Sequence, residues 1–127
     1  MAFQLMDELV VLKKAHLLAM EVYRATATFP KEEGYGLTSQ LRRSAVSVPA
    51  NIAEGKARGS DKDFLRILFI ARASLSELRY LLVLSRDLEL IPRAQYDACE
   101  DKAEEVSRVL AGVIAFLGRT LKLKRTL

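Results

Sequence analysis

The sequence predicts an all-α protein, an antiparallel up-down-up-down four-helix bundle. Four segments carry apolar residues at steps of three and four, the spacing that places side chains on one face of a helix. The breaks between these segments are short and contain Gly or Pro, which favours antiparallel neighbours. At 127 residues and 50% hydrophobic content, the chain is long enough for one domain with an ordered core. We assign residues 1–120 to a single bundle and residues 121–127 to a basic tail that frays.

The first helix is predicted from about Asp7 to Thr28. Phe29-Pro30 ends it, because proline disfavours the helical conformation in the residue before it. Its inward face is predicted to be one stripe with four-and-three spacing, formed by Leu9, Leu12, His16, Ala19, Tyr23 and Thr26. Residues 31–36, KEEGYG, are predicted to form a loop or a short 3₁₀ turn.

The second helix begins near Leu37 and carries a polar stripe between two apolar or small flanks. At roughly 100° per residue the stripe fits a sector of about 80°, and its members are Gln40, Arg43, Ser47, Asn51, Glu54 and Arg58. The flanks are Leu37, Leu41, Ala45, Val48 and Ile52 on one side and Val46, Ala50 and Ala53 on the other. The sector left for water is then the one around Arg42, Pro49 and Lys56.

Half-buried polar groups need hydrogen-bond partners, so the polar stripe predicts a side-chain network. We expect this network to lock the second helix to the third, or to a neighbouring subunit, through Gln40, Arg43, Ser47, Asn51, Glu54, Arg72 and Glu77. Replacement of Asn51 or Glu54 by alanine is expected to cost about 1–3 kcal/mol. Pro49 lies inside the helix and removes one backbone hydrogen bond. Gly59 is predicted to be the residue that follows its C-terminal cap.

The third helix is predicted from about Asp61 to Asp87, with Ser60 as its N-terminal cap. It is apolar nearly all the way round, and three companion helices cannot cover it completely. We therefore expect a large apolar patch and a partner that covers it. The fourth helix restarts at Pro92 and shows an ordinary amphipathic pattern. Its inward stripe is Cys99, Ala103, Val106, Leu110, Val113 and Leu117, opposite an acidic face.

Few residues suit catalysis or metal binding. His16 is the only histidine and Cys99 the only cysteine, and we interpret both as core residues. Glu54 and Glu77 are the acids expected away from water, paired with Arg43, Arg58 or Arg72. The alternative, a catalytic pair of Cys99 and His16, has no supporting motif, and neither a phosphate loop nor a Glu-x-x-His motif is present. We expect no enzyme activity, no cofactor and no metal.

The cellular location follows from two further features. A lone cysteine suits a reducing compartment. The N-terminal residues lack a signal-peptide pattern, and the most apolar stretch, residues 64–84, carries four charges. We therefore expect a cytoplasmic protein with no membrane partner.

Basic residues are concentrated in the middle of the chain and in the tail. Residues 37–93 hold ten basic and six acidic side chains, and the last nine residues hold four basic and no acidic ones. Such a distribution attracts polyanions. The candidate nucleic-acid contacts are Arg42, Lys56, Arg58, Lys62, Arg66, Lys122, Lys124 and Arg125. No aromatic residues interleave for base stacking, so binding would rely on charge and shape; an ordinary solvated face is the alternative.

Residues 37–78, LTSQLRRSAVSVPANIAEGKARGSDKDFLRILFIARASLSEL, resemble the four-helix-bundle proteins related to those encoded in bacterial 23S rRNA intervening sequences. KKAHLLAMEVY and FPKEE, upstream, are also similar, and the resemblance spans about residues 5–117. The accessory variability determinant proteins of diversity-generating retroelements belong to the same superfamily. The resemblance implies a ring-like homopentamer with a basic surface for RNA or DNA and, in the retroelement branch, a reverse transcriptase partner.

These features together predict a non-enzymatic, homo-oligomeric bundle that binds nucleic acid or serves as a scaffold. The alternative is a protein-interaction adaptor, for example an accessory subunit of a reverse transcriptase. Both interpretations draw on the apolar third helix, and they differ in what covers it.

Overall fold

The computed structural model is a four-helix bundle, which confirms the predicted fold class. It describes the backbone of residues 2–126 and the side chains of residues 8–122. The helices are α1 (Ala2–Thr26), α2 (Leu37–Ala57), α3 (Asp61–Asp87) and α4 (Arg93–Thr126), with a 3₁₀ turn at Lys31–Glu33. The bounds of α3 agree with the prediction, and the 3₁₀ turn lies within the predicted loop at residues 31–36. α1 begins before the predicted Asp7 and ends two residues before the predicted Thr28. The backbone of α4 remains helical to Thr126, past the predicted boundary at residue 120.

The short α2–α3 connection reverses the chain through two local signals. Gly59 has a φ of +85°, a left-handed conformation that glycine adopts without steric cost. The Ser60 hydroxyl then accepts a hydrogen bond from the Asp63 backbone amide at 3.1 Å and caps α3. Both predictions at this connection are confirmed.

The four helices enclose one apolar core. α1 packs against α2 and α4, and α3 packs against the same two helices. Gly55 of α2 lies close to α3, because a Cβ atom there would lie 3.0 Å from Phe64 Cδ1 and 3.2 Å from Ile67 Cβ. The predicted inward stripe of α4, from Cys99 to Leu117, is buried throughout. Within the described part of the chain, no helix is long and apolar enough to cross a bilayer.

The inward face of α1 differs from the prediction. The core uses Val11, Ala15, Leu18, Ala19, Val22, Ala25 and Thr26. Of the predicted stripe, Ala19 and Thr26 are buried and Leu12 is half-buried, whereas Leu9, His16 and Tyr23 are exposed. The helix has two overlapping apolar stripes, and the observed rotation leaves the polar tips of His16 and Tyr23 near water, where they need no buried partner.

The solvent-facing sector of α2 was also predicted wrongly. Arg42, Pro49 and Lys56 are half-buried against α1 instead of facing water. Lys56 Nζ lies 2.6 Å from Glu8 Oε2, and Arg42 Nε donates to Thr26 Oγ1 at 2.9 Å. The side of α2 that faces solvent carries Val46, Ala50 and Ala53, which had been assigned to an apolar flank.

Candidate interaction surfaces

A small polar bridge joins α2 to α3. The hydroxyls of Ser47 and Ser74 share a hydrogen bond of 2.8 Å. Asn51 Nδ2 donates to the Ser47 backbone oxygen at 2.8 Å and to Ser47 Oγ at 2.9 Å. All three residues are half-buried. Ser74 was not among the predicted network residues; its signal was a small polar side chain on the third helix.

For the other predicted network residues, no side-chain hydrogen bond or ion pair joins α2 to α3 among the described side chains. Gln40, Arg43, Glu54, Arg72 and Glu77 are exposed. The expectation that Glu54 and Glu77 avoid water is therefore wrong. Glu54 does pair with Arg58, one of its predicted partners, at 3.0 Å, but the pair is exposed and lies within α2. The Arg72 guanidinium lies 4.7 Å from the centre of the Phe69 ring. Gln40, Arg43 and Glu77 line a recess of about 400 Å³ next to Ser47 and Ser74, so they lie beside the polar bridge but remain exposed.

The candidate nucleic-acid residues fall into three places. Lys56, Arg58, Lys62 and Arg66 surround the α2–α3 connection. Arg42 lies near the other end of α2, about 21 Å from Lys56 at 1.5 Å per residue. Its guanidinium sits 4.6 Å from the centre of the Tyr23 ring. Lys122 is exposed near the end of α4, and the side chains of Lys124 and Arg125 lie outside the described residues.

Acidic side chains accompany most of the cations at the α2–α3 connection. Lys56 pairs with Glu8 and Arg58 with Glu54, while Arg66 Nε lies 4.0 Å from Asp63 Oδ1. These pairs reduce the positive potential that a single protomer presents to a polyanion.

The cysteine and the histidine occupy unlike environments. Cys99 is fully buried, and this burial raises the pKa of its thiol to about 12. The Glu21 carboxylate also raises the pKa, while the positive charge of Lys102 lowers it by a smaller amount. A thiol with this pKa is protonated at neutral pH and is a poor nucleophile. His16 is exposed, so its predicted core position is wrong. Among the described residues, no group of three or more His, Cys, Asp or Glu side chains could hold a metal ion.

An apolar groove runs along the surface between α1 and α2. Two shallow recesses of about 510 and 460 Å³ share His16 and Pro49, so they lie side by side. A third recess shares Tyr23 and Val46 with the second and adjoins it on the side of Gly34 and Thr38. We call this surface the α1–α2 groove; its apolar lining includes Leu9, Leu12, Met20, Val46, Ala50 and Ala53.

Among the described residues, every charged side chain that lines the α1–α2 groove is basic. These residues are Lys13, Arg24, Arg42 and Arg43. Arg24 pairs with Glu21 on α1 at 3.4 Å. Within the described part of the chain, neither Lys13 nor Arg43 has an acidic side chain within ion-pair distance. The groove therefore combines an apolar floor with a positively charged rim.

A second apolar surface lies on the side of α3 that faces away from the core. Phe69, Ala73 and Tyr80 recur at steps of four and seven, and Ile70 lies beside them; all four are exposed. Arg66, Arg72 and Glu77 border these residues and are exposed as well. We call this surface the α3 outer face. It is the uncovered apolar patch that the sequence predicted.

Comparisons with known proteins agree with the fold. Residues 7–112 match the family model described as 23S rRNA-intervening sequence protein. A crystal structure of a protein of unknown function from the S23 ribosomal protein family of Bacteroides thetaiotaomicron is similar, with a TM-score of 0.79 and 28% sequence identity. The alignment covers 86% of this chain and 98% of that chain. A comparison with curated protein sequences found no match.

Proposed function

This chain belongs to the 23S rRNA-intervening sequence protein family, and we propose that it is a non-enzymatic scaffold that assembles with copies of itself through the α3 outer face. One observation carries the proposal. Three large apolar side chains on this face are exposed, Phe69 by 43%, Ile70 by 46% and Tyr80 by 63%. A group of large exposed apolar side chains on one face of a folded domain is typical of a contact with another molecule.

The energetics favour covering this face. Full burial of one large apolar side chain is worth about 1.5–3 kcal/mol. Burying the exposed parts of Phe69, Ile70 and Tyr80 between two copies would therefore contribute favourably to the free energy of association. Phe69 and Tyr80 also supply the aromatic anchors that are enriched at the centres of protein interfaces. The buried position of Cys99 supports a non-enzymatic role.

The assembly that we propose is a ring-like homopentamer, as the family resemblance implies. A ring needs two different surfaces in contact, because an isologous contact closes after two subunits. The arginines beside the α3 outer face, Arg66 and Arg72, favour an acidic neighbour. On α4, the exposed Asp101 carboxylate offers such a group on the next copy, whereas Asp97 and Glu104 pair with Arg93 and Arg79 of their own chain.

Light scattering on the full chain tests the assembly. We expect a mass several times that of the 14.2 kDa protomer. Tyr80→Glu should lower this mass, because the substitution places a charge in the centre of the apolar contact, while Lys31→Glu, a charge change on the 3₁₀ turn, should leave it unchanged. A monomer for the unsubstituted protein at micromolar concentration would refute the proposal.

Nucleic-acid binding is a second candidate function. Arg58 and Lys62 are exposed at one end of the bundle, outside the proposed contact of Arg66 with the next copy, and a ring would repeat them around its axis. Repetition raises the number of phosphates that are contacted at once, so affinity should fall steeply as salt rises. Electrophoretic shift assays with RNA and DNA test this, and an absence of binding at low salt would exclude it. An accessory role beside a reverse transcriptase rests on the resemblance alone, and a copurification experiment with that enzyme would test it.

A further inference from the structure

The α1–α2 groove is a second exposed apolar surface, separate from the α3 outer face. Leu9, Met20 and Val46 are 52%, 38% and 42% exposed, although side chains of this size usually lie in a core. Two of them come from α1 and one from α2, so the packing of two helices brings them together.

The shape of the groove suits a helix. Its apolar lining runs along α1 from Leu9 to Tyr23, about 21 Å at 1.5 Å per residue. An added helix of about four turns would have the same length. On the α2 side the lining residues Pro49, Ala50 and Ala53 are small, so the backbone of an added helix could approach closely.

The charge around the groove specifies what kind of helix fits. The rim is basic, and Lys13 and Arg43 have no acidic partner among the described side chains. Acidic side chains on either edge of an added helix would meet these cations. From the apolar floor and basic rim we propose that the α1–α2 groove binds an amphipathic helix, flanked by acidic residues, that belongs to a different protein.

A second copy of this chain fits the groove less well. The α3 outer face is apolar, but its border carries two arginines, Arg66 and Arg72, beside Glu77, so docking it in the groove would bring a net positive border against a basic rim. The acidic side of α4 has the right charge, but its exposed residues near Asp97 and Asp101 include no large apolar side chain. A polyanion such as RNA would satisfy the rim and leave the apolar floor exposed.

Three synthetic peptides of about five turns provide the test, with fluorescence anisotropy against the full-length protein. The first places leucines at steps of three and four on one face and glutamates elsewhere. The second has the same composition with the leucines distributed around the helix, and the third replaces every glutamate by lysine. We expect the first peptide to bind, the second not to bind, and the third to bind at least about tenfold more weakly, since like charges repel.

Two substitutions at exposed positions locate the binding site. Val46→Glu adds a negative charge to the groove floor and should weaken binding of the first peptide at least about tenfold, with the oligomer mass unchanged. Tyr80→Glu is the matched control on the α3 outer face; it should leave peptide affinity unchanged. Arg43→Glu should weaken binding of the first peptide because it replaces a positive charge on the groove rim by a negative one. Far-ultraviolet circular dichroism shows whether each variant is folded.

Several results would overturn the inference. These are no binding of the first peptide, equal binding of the lysine peptide, or unchanged affinity in Val46→Glu. A loss of oligomer mass in Val46→Glu would also overturn it, because the groove would then be a contact between copies. If the unsubstituted protein is monomeric and still binds the acidic peptide in the groove, the proposed assembly fails and this inference stands.

Discussion

Replacing Asn51 by alanine should destabilise the protein, whereas the same change at Glu54 should not. Both residues belong to the polar stripe on α2 and lie three positions apart. Asn51 is half-buried and donates two hydrogen bonds to Ser47, while Glu54 is exposed and pairs with Arg58 on its own helix. From the stripe alone, both substitutions were expected to cost about 1–3 kcal/mol. The structure assigns that cost to only one of them.

The magnitudes follow from what each side chain loses. Asn51→Ala removes two hydrogen bonds, worth about 0.5–1.5 kcal/mol each. The better helix propensity of alanine offsets about 0.5 kcal/mol of that loss. Ser47 keeps its hydrogen bond to Ser74, so no buried group loses its last partner, and the net cost is about 1–2 kcal/mol. For Glu54→Ala, an exposed i,i+4 pair is worth about 0.3–0.5 kcal/mol, which the gain in propensity nearly cancels.

Urea denaturation followed by circular dichroism measures the difference. All variants should be compared at one protein concentration and with equal mass by light scattering, because dissociation would add to the free energy of unfolding. We expect the free energy of unfolding to fall by about 1–2 kcal/mol for Asn51→Ala and by less than about 0.5 kcal/mol for Glu54→Ala. Equal losses for the two variants would refute the reasoning, since they would place Glu54 in a buried contact.

Three further measurements probe the core and the bundle surface. Gly55→Ala should lower stability by about 1 kcal/mol in thermal melts, because overpacking against α3 outweighs the gain in helix propensity. Cys99 should react with Ellman's reagent only after unfolding. The pKa of the Cys99 thiol is about 12 in the folded state and lower in the unfolded state. The protonated thiol should therefore stabilise the fold fully below pH 9, and this stabilisation should disappear as pH rises towards 12. Cys99→Ala should lack this fall in the free energy of unfolding with pH. Arg79→Ala should cost about 1 kcal/mol at low salt and less at high salt, because Arg79 bridges Glu100 and Glu104.

The predictions that held depended on local chemistry. Gly59 and Ser60 fix the start of α3 through a left-handed residue and a capping hydroxyl, and neither requires knowledge of the rest of the fold. The inward stripe of α4 was read correctly because charged residues occupy its opposite face, so only one rotation buries apolar surface. Where a helix has one apolar face, its periodicity determines its orientation.

The sequence of α1 could not show which of its faces points to the core, because its apolar residues cover more than one face. A stripe through Leu9 and His16 and another through Val11 and Leu18 have the same spacing, and only contact with α2 and α4 selects between them. The long side chains of α2 caused a related error. Arg42 and Lys56 lie along α1, and their charged groups bind Thr26 and Glu8 there. A charged side chain on α2 was therefore no sign that its position faces solvent.

The residues whose orientation was predicted wrongly lie together in the α1–α2 groove. Leu9, His16 and Tyr23 were predicted to be core residues because they are mostly apolar and correctly spaced, and Pro49 was predicted to face water. In the structure all four line the same surface between α1 and α2. A four-helix bundle needs one inward face from each helix, and α1 supplies that face with other residues. Its second apolar stripe therefore has no role in the core of a single protomer, and a helix packed in the groove would bury it.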